Sequence, residues 1–232
     1  MEQKYQFFHF GPFLMMTKVD ISIWEEISED IRNTVVHDKI DARGHLAGVI
    51  ENEYFFSEEL KEKYNLTLKP YIINYVKKLV TDWHGYSAEQ IGDPEHKIGK
   101  MLPYIHNIEL MSLWANLQRK TEYNPMHAHS GDISFVLYVN VPEEIYDEES
   151  VRNGEGNGVI YFADGLDNRT DEQLLSEESN VLRQSLSPRR LSPSFRPVNG
   201  DLLIFPADLH HSVASFQSDV TRITVSGNWL LA

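Results

Sequence analysis

The stretch NGDLLIFPADLHHSVASFQSDVTRITVSGNW, residues 199–229, decides the fold of this chain. It contains short segments in which apolar and polar side chains alternate, the period of β-strands that bury one face. In its last segment one face is polar and the other apolar, with Arg222, Thr224, Ser226 and Asn228 on the first and Ile223, Val225 and Trp229 on the second. We therefore predict a strand whose apolar face packs on helices and whose polar face lines a cavity.

Two groups of histidines point to a metal site on this β scaffold. His210 and His211 lie within the stretch, and His127 and His129 form an H-x-H pair in NPMHAHSGDISFVLYVNVP upstream. Two inward side chains on one strand and a third from a distant strand can hold a metal on one face and leave the other face open. Only one of His210 and His211 can point inward from a strand. An H-x-H pair alone is weak support, because the chain has 10 histidines.

The region before residue 104 is predicted to support the strands. Residues 5–16 suggest a strand, and apolar spacing predicts helices over 22–36 and 68–83, the first capped by Ser22 with Glu25 three residues on. Between and after the helices, residues 41–56 are expected to be irregular and residues 84–100 turn-rich.

From Tyr104 onward the apolar period changes to two, which predicts a β-rich half. One predicted strand places Met111, Leu113, Ala115 and Leu117 on a common face. Helices followed by strands favour an α+β fold, a double-stranded β-helix (jelly-roll) core with N-terminal supporting helices. We expect a single domain over 1–232, with support over 1–103 and the core over 104–232. A Ser/Pro-rich loop insertion over 165–197 interrupts the core.

Composition excludes several kinds of site. The 35 acidic and 21 basic residues give a formal charge of −14, which disfavours binding to nucleic acid or to an anionic membrane. The absence of cysteine excludes disulfides and thiolate metal sites, so that histidine and carboxylate must hold any metal. No apolar segment reaches the length of a membrane span and no signal peptide is evident, so we expect a cytoplasmic protein, in the host cell if a phage encodes it.

These motifs resemble the Fe(II)/2-oxoglutarate-dependent oxygenase superfamily, in particular its bacterial and phage members, over roughly residues 104–230. The C-terminal pattern of a strand ending in FP, a ligand histidine and a later arginine and asparagine matches at Leu209, His211, Val213, Arg222 and Asn228. The upstream W-x-N and H-x-H patterns match at Trp114, Asn116, His127, His129, Ser134, Tyr138 and Pro142.

The resemblance implies an Fe(II)- and 2-oxoglutarate-dependent dioxygenase that uses O2 to hydroxylate a substrate. It implies that His127, His129 and His211 bind the metal, and its register favours His211 over His210. Arg222 would bind the distal carboxylate of 2-oxoglutarate. Further co-substrate contacts would come from Thr224, Asn116 and Tyr138.

The sequence departs from the family at the second ligand, where most members have aspartate and this chain has His129. Three arrangements are open: a three-histidine centre, a centre in which Asp132 supplies the carboxylate, and a site short of one ligand. Ser130 and Phe135 also replace the family's proline and glycine.

The sequence does not name the primary substrate. A protein or peptide side chain is the first expectation, with Arg189, Arg190 and the 165–197 insertion as candidate substrate-facing elements, and a small metabolite is the second. Two other classes remain open: a cupin-like metal enzyme independent of 2-oxoglutarate, and a catalytically inactive jelly-roll binding module.

Overall fold

The structure is a computed structural model that describes residues 5–8, 12–37, 39–147, 156–163 and 194–231. Most of the predicted 165–197 insertion, residues 165–193 with Arg189 and Arg190, lies outside this part of the chain. None of the described helices is long and apolar enough to cross a membrane.

The first predicted helix is confirmed as α1 (Ile21–His37). It begins one residue earlier than predicted, because the carbonyl of Asp20 accepts hydrogen bonds from the N–H groups of Ile23 and Trp24. Ser22 therefore lies inside the first turn and the prediction that it caps the helix is wrong.

The second helix, α2 (Glu58–Lys78), continues into a π-helical turn (Leu79–Trp83) and begins earlier than the predicted residue 68. Ser57 caps its start by accepting a hydrogen bond from the N–H of Leu60. Pro70 favours a helix start nearby, because proline is tolerated best in a first turn. The first half is nevertheless held against α1, since the Asp30 carboxylate accepts hydrogen bonds from Tyr64 at 2.6 Å and Lys63 at 2.7 Å.

Short elements replace two regions that were predicted to lack them. The irregular region before α2 contains β3 (Ile40–Asp41) and β4 (Glu53–Phe55). The turn-rich region after it contains α3 (Ala88–Gly92) and all but the last residue of α4 (Lys97–Met101), and a 3-10 turn (Leu102–Asn107) follows. Elements of two to six residues leave no clear periodicity in a sequence, so these were missed.

The remaining elements are mainly strands. In chain order they are β1 (Tyr5–Phe8), β2 (Leu14–Lys18), β5 (Ile108–Gln118), β6 (Asn124–His127), β7 (Ile133–Asn140), helix α5 (Glu144–Asp147), β8 (Ile160–Ala163), β9 (Ser194–Phe195), β10 (Asp201–Pro206), β11 (His210–Val213) and β12 (Arg222–Leu231). The single strand predicted over 5–16 is instead the antiparallel pair β1 and β2. β9 is the described end of the 165–197 insertion and pairs with β8.

Two antiparallel sheets build the predicted jelly-roll core. The larger has the order β1-β2-β10-β7-β12-β5-β4-β3 and the smaller β6-β11-β8-β9. The inner faces of the two sheets meet in an apolar cluster that includes Tyr138 and Phe205 of the large sheet and Phe162 of the small one. The α+β class with supporting N-terminal helices is thus confirmed.

A second and larger apolar cluster lies between the large sheet and helices α1 and α2. Alternate residues of β7 enter it, namely Phe135, Leu137 and Val139, while Tyr138 faces the small sheet. Val225 and Trp229 of β12 also enter it, as the alternation predicted. The large sheet is therefore buried on both faces.

A β-bulge corrects one prediction on β5. Asn228 of β12 pairs with Ser112, but Trp229 pairs with Leu110, so Met111 has no partner in the ladder. Met111 is 44% exposed, and Leu110 takes the buried position instead. The prediction that Met111 shares the buried face of Leu113 is wrong.

Gly227, in the middle of β12, gives the first testable prediction. A Cβ at this position would lie 2.7 Å from both the Ser112 carbonyl oxygen and the Phe135 ring. We expect Gly227→Ala to lower the free energy of unfolding by about 1–3 kcal/mol through overpacking, measured by urea denaturation. Gly44→Ala is the control, because a Cβ at Gly44 would meet nothing within 4 Å. Equal stability of the two variants would contradict the central, two-sided packing of β12.

Candidate metal centre and co-substrate pocket

A cleft opens between the two sheets. Its volume is about 540 Å³ when the open mouth is included. Its walls come from β4, β5, β7 and β12 of the large sheet, from β6, β8 and β11 of the small sheet, and from the segment 46–50. The polar face predicted for β12 faces this cleft through Arg222, Thr224 and Ser226.

His127, His129 and His211 come together in the cleft, and each offers a ring nitrogen within 4.8 Å of the others. His127 ends β6 and lies directly opposite His211 on β11. The backbone N–H of His129 donates to the Ala207 carbonyl at 2.8 Å, which ties the segment after β6 to the end of β10. Pairing of two strands and one loop contact therefore bring the three rings together, and the group could hold a metal ion.

Backbone carbonyls orient two of the three rings. Nδ1 of His127 lies 2.7 Å from the Pro125 carbonyl, and Nδ1 of His211 lies 3.0 Å from the Leu209 carbonyl. A carbonyl can only accept, so in each ring Nδ1–H is the donor and Nε2 keeps its lone pair. This is the tautomer that metal-binding histidines use when a backbone carbonyl orients them.

Burial keeps the three imidazoles neutral. It lowers the pKa of His211 to about 3 and that of His129 to about 4, and it also lowers the pKa of His127. The neighbouring rings lower the pKa of each further, because a second imidazolium would be repelled. Neutral imidazole is the form that binds metal, so the group needs no deprotonation at neutral pH.

The structure places the two alternative candidates differently. His210 is only partly buried and is not in the group of three. Asp132 is exposed, and its Oδ2 accepts a hydrogen bond of 2.7 Å from the N–H of Leu231. Because that carboxylate is turned toward the end of β12, it does not complete the histidine group.

Arg222 is a buried cation with neutral partners. It is 4% exposed, and its Nη atoms donate to the Gly158 carbonyl and to the Gln118 side-chain oxygen. Its Nε is buried with no hydrogen-bond partner among the described residues, and no ion pair of that part of the chain includes it. Burial lowers its pKa, but guanidinium stays protonated in proteins. The cleft therefore contains a positive charge without a counter-charge in the described structure.

Beside Arg222, neighbouring strands present a polar row. Asn116 Nδ2 donates to Thr224 Oγ1 at 3.3 Å and to Ser226 Oγ at 3.4 Å. Tyr138 pairs with Thr224 across β7 and β12, and burial raises the pKa of its phenol, which stays a neutral donor. The structure thus brings together Arg222 and the three other residues predicted to contact the co-substrate.

Two cleft residues were missed from the sequence. Gln118, which holds Arg222, follows Trp114 and Asn116 on the polar face of β5, so the alternation could have found it. Glu53 on β4 is 1% exposed, and its Oε2 has no hydrogen-bond partner in the described structure. Burial raises its pKa to about 7. No motif marks Glu53, because its strand is only three residues long.

Comparison with known proteins supports the fold and identifies the family. A sequence model of the family described as "Putative 2OG-Fe(II) oxygenase" matches residues 112–228, half of the chain. A prolyl-4-hydroxylase from Pseudomonas putida has a similar structure over 96% of this chain and 94% of that one, with a TM-score of 0.54 at 10% identity. At that identity the likeness concerns the fold alone.

Two further structures resemble the chain less well. HygX from Streptomyces hygroscopicus, with nickel, 2-oxoglutarate and hygromycin B bound, matches with a TM-score of 0.49 and 10% identity, covering 93% of this chain and 82% of HygX. A prolyl hydroxylase from Trichoplax adhaerens, in complex with a hypoxia inducible factor peptide, matches with a TM-score of 0.48 and 9% identity over 94% of this chain and 83% of that one. No curated protein gives a significant sequence match.

The family match extends across β5 to β12 and so includes the three histidines and Arg222. The chain therefore belongs to the 2OG-Fe(II) oxygenase family and is a 2-oxoglutarate-dependent oxygenase that uses Fe(II).

Proposed function

We propose that this enzyme hydroxylates its substrate with Fe(II) bound by His127, His129 and His211 and with 2-oxoglutarate anchored by Arg222. The observation that carries the proposal is the presence, in one cleft, of three neutral imidazoles and a buried arginine without a counter-charge. The imidazole group can bind a cation, and the arginine can bind an anion.

The histidine group suits Fe(II). Imidazole is a good ligand for iron, and three protein ligands from one side leave positions for a co-substrate and O2. Three neutral ligands leave the full double positive charge on the metal, whereas a carboxylate ligand would cancel part of it. We infer that this centre attracts the anionic 2-oxoglutarate strongly.

The surroundings of Arg222 suit a carboxylate. A buried charge without a partner is costly, and a carboxylate ligand would offset that cost. Guanidinium presents N–H donors in a planar fork that matches the two oxygens of a carboxylate. The Thr224 hydroxyl and the Tyr138 phenol lie beside it and could add hydrogen bonds.

The protein's own part in the reaction is to bind, orient and exclude water. When bound, Fe(II) and 2-oxoglutarate would supply the oxidising chemistry: 2-oxoglutarate loses CO2, one oxygen atom of O2 enters the succinate and the other enters a substrate C–H bond as the hydroxyl oxygen. Trp114 packs beside His129, with the ring centres 5.5 Å apart, and restricts its ring. Phe205 and Phe162 flank His211 and keep water from that side of the centre.

For the substrate we infer a protein or peptide side chain, with a small metabolite as the second candidate. The support is an exposed apolar patch, Val49, Tyr123 and Met126, on the outer side of the segments that carry the lining residues Gly48, Asn124 and His127. An exposed apolar patch next to a polar cleft suits a ligand large enough to contact both. A cupin-like enzyme independent of 2-oxoglutarate would leave the buried Arg222 without a purpose, and an inactive module would leave the three buried imidazoles without one.

Metal binding is tested by comparing two adjacent histidines. We expect His211→Ala to weaken Mn(II) or anaerobic Fe(II) binding at least roughly 100-fold, because even residues that only support metal ligands contribute 10–100-fold. His210→Ala is the matched control. It should leave the metal affinity within about threefold of the wild type, which is a change in binding free energy of less than about 1 kcal/mol. Calorimetric titration of both variants measures the difference. Equal affinities would contradict the assignment of His211.

Co-substrate binding is tested at Arg222. We expect Arg222→Met to weaken binding of 2-oxoglutarate to the Mn(II)-loaded protein by roughly 30- to 5,000-fold, the range for removal of one partner of a buried charge pair. The control is Arg119→Met, which removes an equal charge from an exposed side chain directly after the end of β5. All three proteins should bind Mn(II) with similar affinity. Wild-type affinity of the Arg222→Met variant for 2-oxoglutarate would refute the anchoring role.

A further inference from the structure

Glu53 is a buried acidic side chain that the proposed reaction does not use. It pairs with Asn116 across β4 and β5 and therefore points into the cleft from the large sheet. It is 1% exposed, its Oε2 has no hydrogen-bond partner, and no ion pair of the described residues includes it. A carboxylate buried in this way is costly unless a ligand supplies the missing partner.

The described chain offers Glu53 no free cation. Arg43 is the cation that acts on it, but the Arg43 guanidinium already donates to both carboxylate oxygens of Asp41 at 2.9 and 2.7 Å. Glu122 adds further negative charge nearby. Arg222 reaches the cleft from β12, on the other side of β5, and its hydrogen bonds go to Gly158 and Gln118. The cleft thus holds an unpaired guanidinium and an unpaired carboxyl group on either side of one strand.

A second acceptor lies beside Glu53. The Asn124 side-chain oxygen is also buried without a partner among the described residues. A Cβ at Gly48 would lie within 2.6 Å of both this oxygen and Glu53 Oε1, so the two acceptors converge on the same point of the chain. Only glycine lets the two acceptors pack this closely against the backbone, because any Cβ would clash with both. Glu53, Asn124 and Gly48 together form what we call the acceptor recess.

We propose that the acceptor recess binds a cationic N–H group of the primary substrate, an ammonium or a guanidinium. This inference rests on the proposed function, because it assigns the substrate class of the same cleft. The two unpaired groups divide the cleft: Arg222 attracts the anionic co-substrate, and Glu53 accepts hydrogen bonds from a basic group of the molecule to be hydroxylated, which also favours its ionised form. A lysine-like or arginine-like side chain has both the cation for the recess and the C–H bonds for the reaction.

The first test needs no variant. Protein loaded with Mn(II) and 2-oxoglutarate is titrated calorimetrically with Nα-acetyl-arginine methylamide and with its neutral analogue, Nα-acetyl-citrulline methylamide. The corresponding lysine and 6-hydroxynorleucine amides form a second pair. We expect the cationic member of at least one pair to bind roughly 10- to 100-fold more tightly, as a charge-assisted hydrogen bond in a buried site would give. Equal binding of both members, or no binding of any probe, would overturn the proposal.

Two variants and a control assign the preference to the recess. Glu53→Gln removes the carboxylate and Gly48→Ala displaces both acceptor oxygens, so each should abolish the preference for the cation. Glu51→Gln is the matched control, because Glu51 is an exposed carboxylate two residues away. A cation preference that survives Glu53→Gln and Gly48→Ala would overturn the proposal. So would a Glu53→Gln variant whose main defect is in Mn(II) or 2-oxoglutarate affinity, since Glu53 would then serve the metal centre.

Two further comparisons complete the test. Free arginine or lysine binding more tightly than the same residue within a blocked pentapeptide would indicate a small-molecule substrate, and the reverse would indicate a protein; either supports a cationic substrate. If the protein prefers the cationic probe but fails to bind Mn(II) and 2-oxoglutarate, the acceptor recess is supported as a cation site and the proposed function is overturned. If it binds Mn(II) and 2-oxoglutarate but shows no preference for the cation, only the assignment of the acceptor recess is overturned.

Discussion

The pairing of β12 between β5 and β7 is the constraint on which the rest of the structure depends. With neighbours on both edges and cover on both faces, this strand must bury every residue from Thr224 to Trp229. Its apolar face packs toward α1 and α2, and Arg222, Thr224 and Ser226 of its polar face enter the cleft. The same pairing sets Arg222 opposite Gln118 and Thr224 opposite Asn116 and Tyr138, so that one register positions the co-substrate pocket.

Unpaired buried groups are the common physical theme of the cleft. The three imidazoles are held neutral side by side, Arg222 Nε lacks an acceptor, and Glu53 Oε2 lacks a donor among the described residues. Each costs folding free energy in the protein alone, and stable domains keep few such groups. A bound ligand would offset each cost: the metal at the imidazoles, 2-oxoglutarate at Arg222 and a cationic substrate group at Glu53.

Strong alternation made much of this predictable from the sequence. β7 and β12 alternate over eight or more residues, so their faces and the fold class followed from the pattern. The choice of His211 over His210 came from the register of the family resemblance. The bulge that exposes Met111 did not follow, because it depends on the pairing between β5 and β12 and not on either strand alone. Glu53 was out of reach for a related reason: its three-residue strand is defined by its partner β5, and its burial depends on that pairing. Tertiary contact with Asp30 likewise extended α2 beyond what Pro70 suggested.

The central claim is that the histidine group and Arg222 serve one metal–co-substrate centre. Its most direct test is anaerobic titration of the protein with Fe(II), with and without 2-oxoglutarate, followed by visible absorption. The account predicts a weak metal-to-ligand charge-transfer band that develops only when both are present, at one equivalent of each, because 2-oxoglutarate then chelates the bound iron. Fe(II) and 2-oxoglutarate that both bind without producing the band would occupy separate sites, and that result would contradict the account.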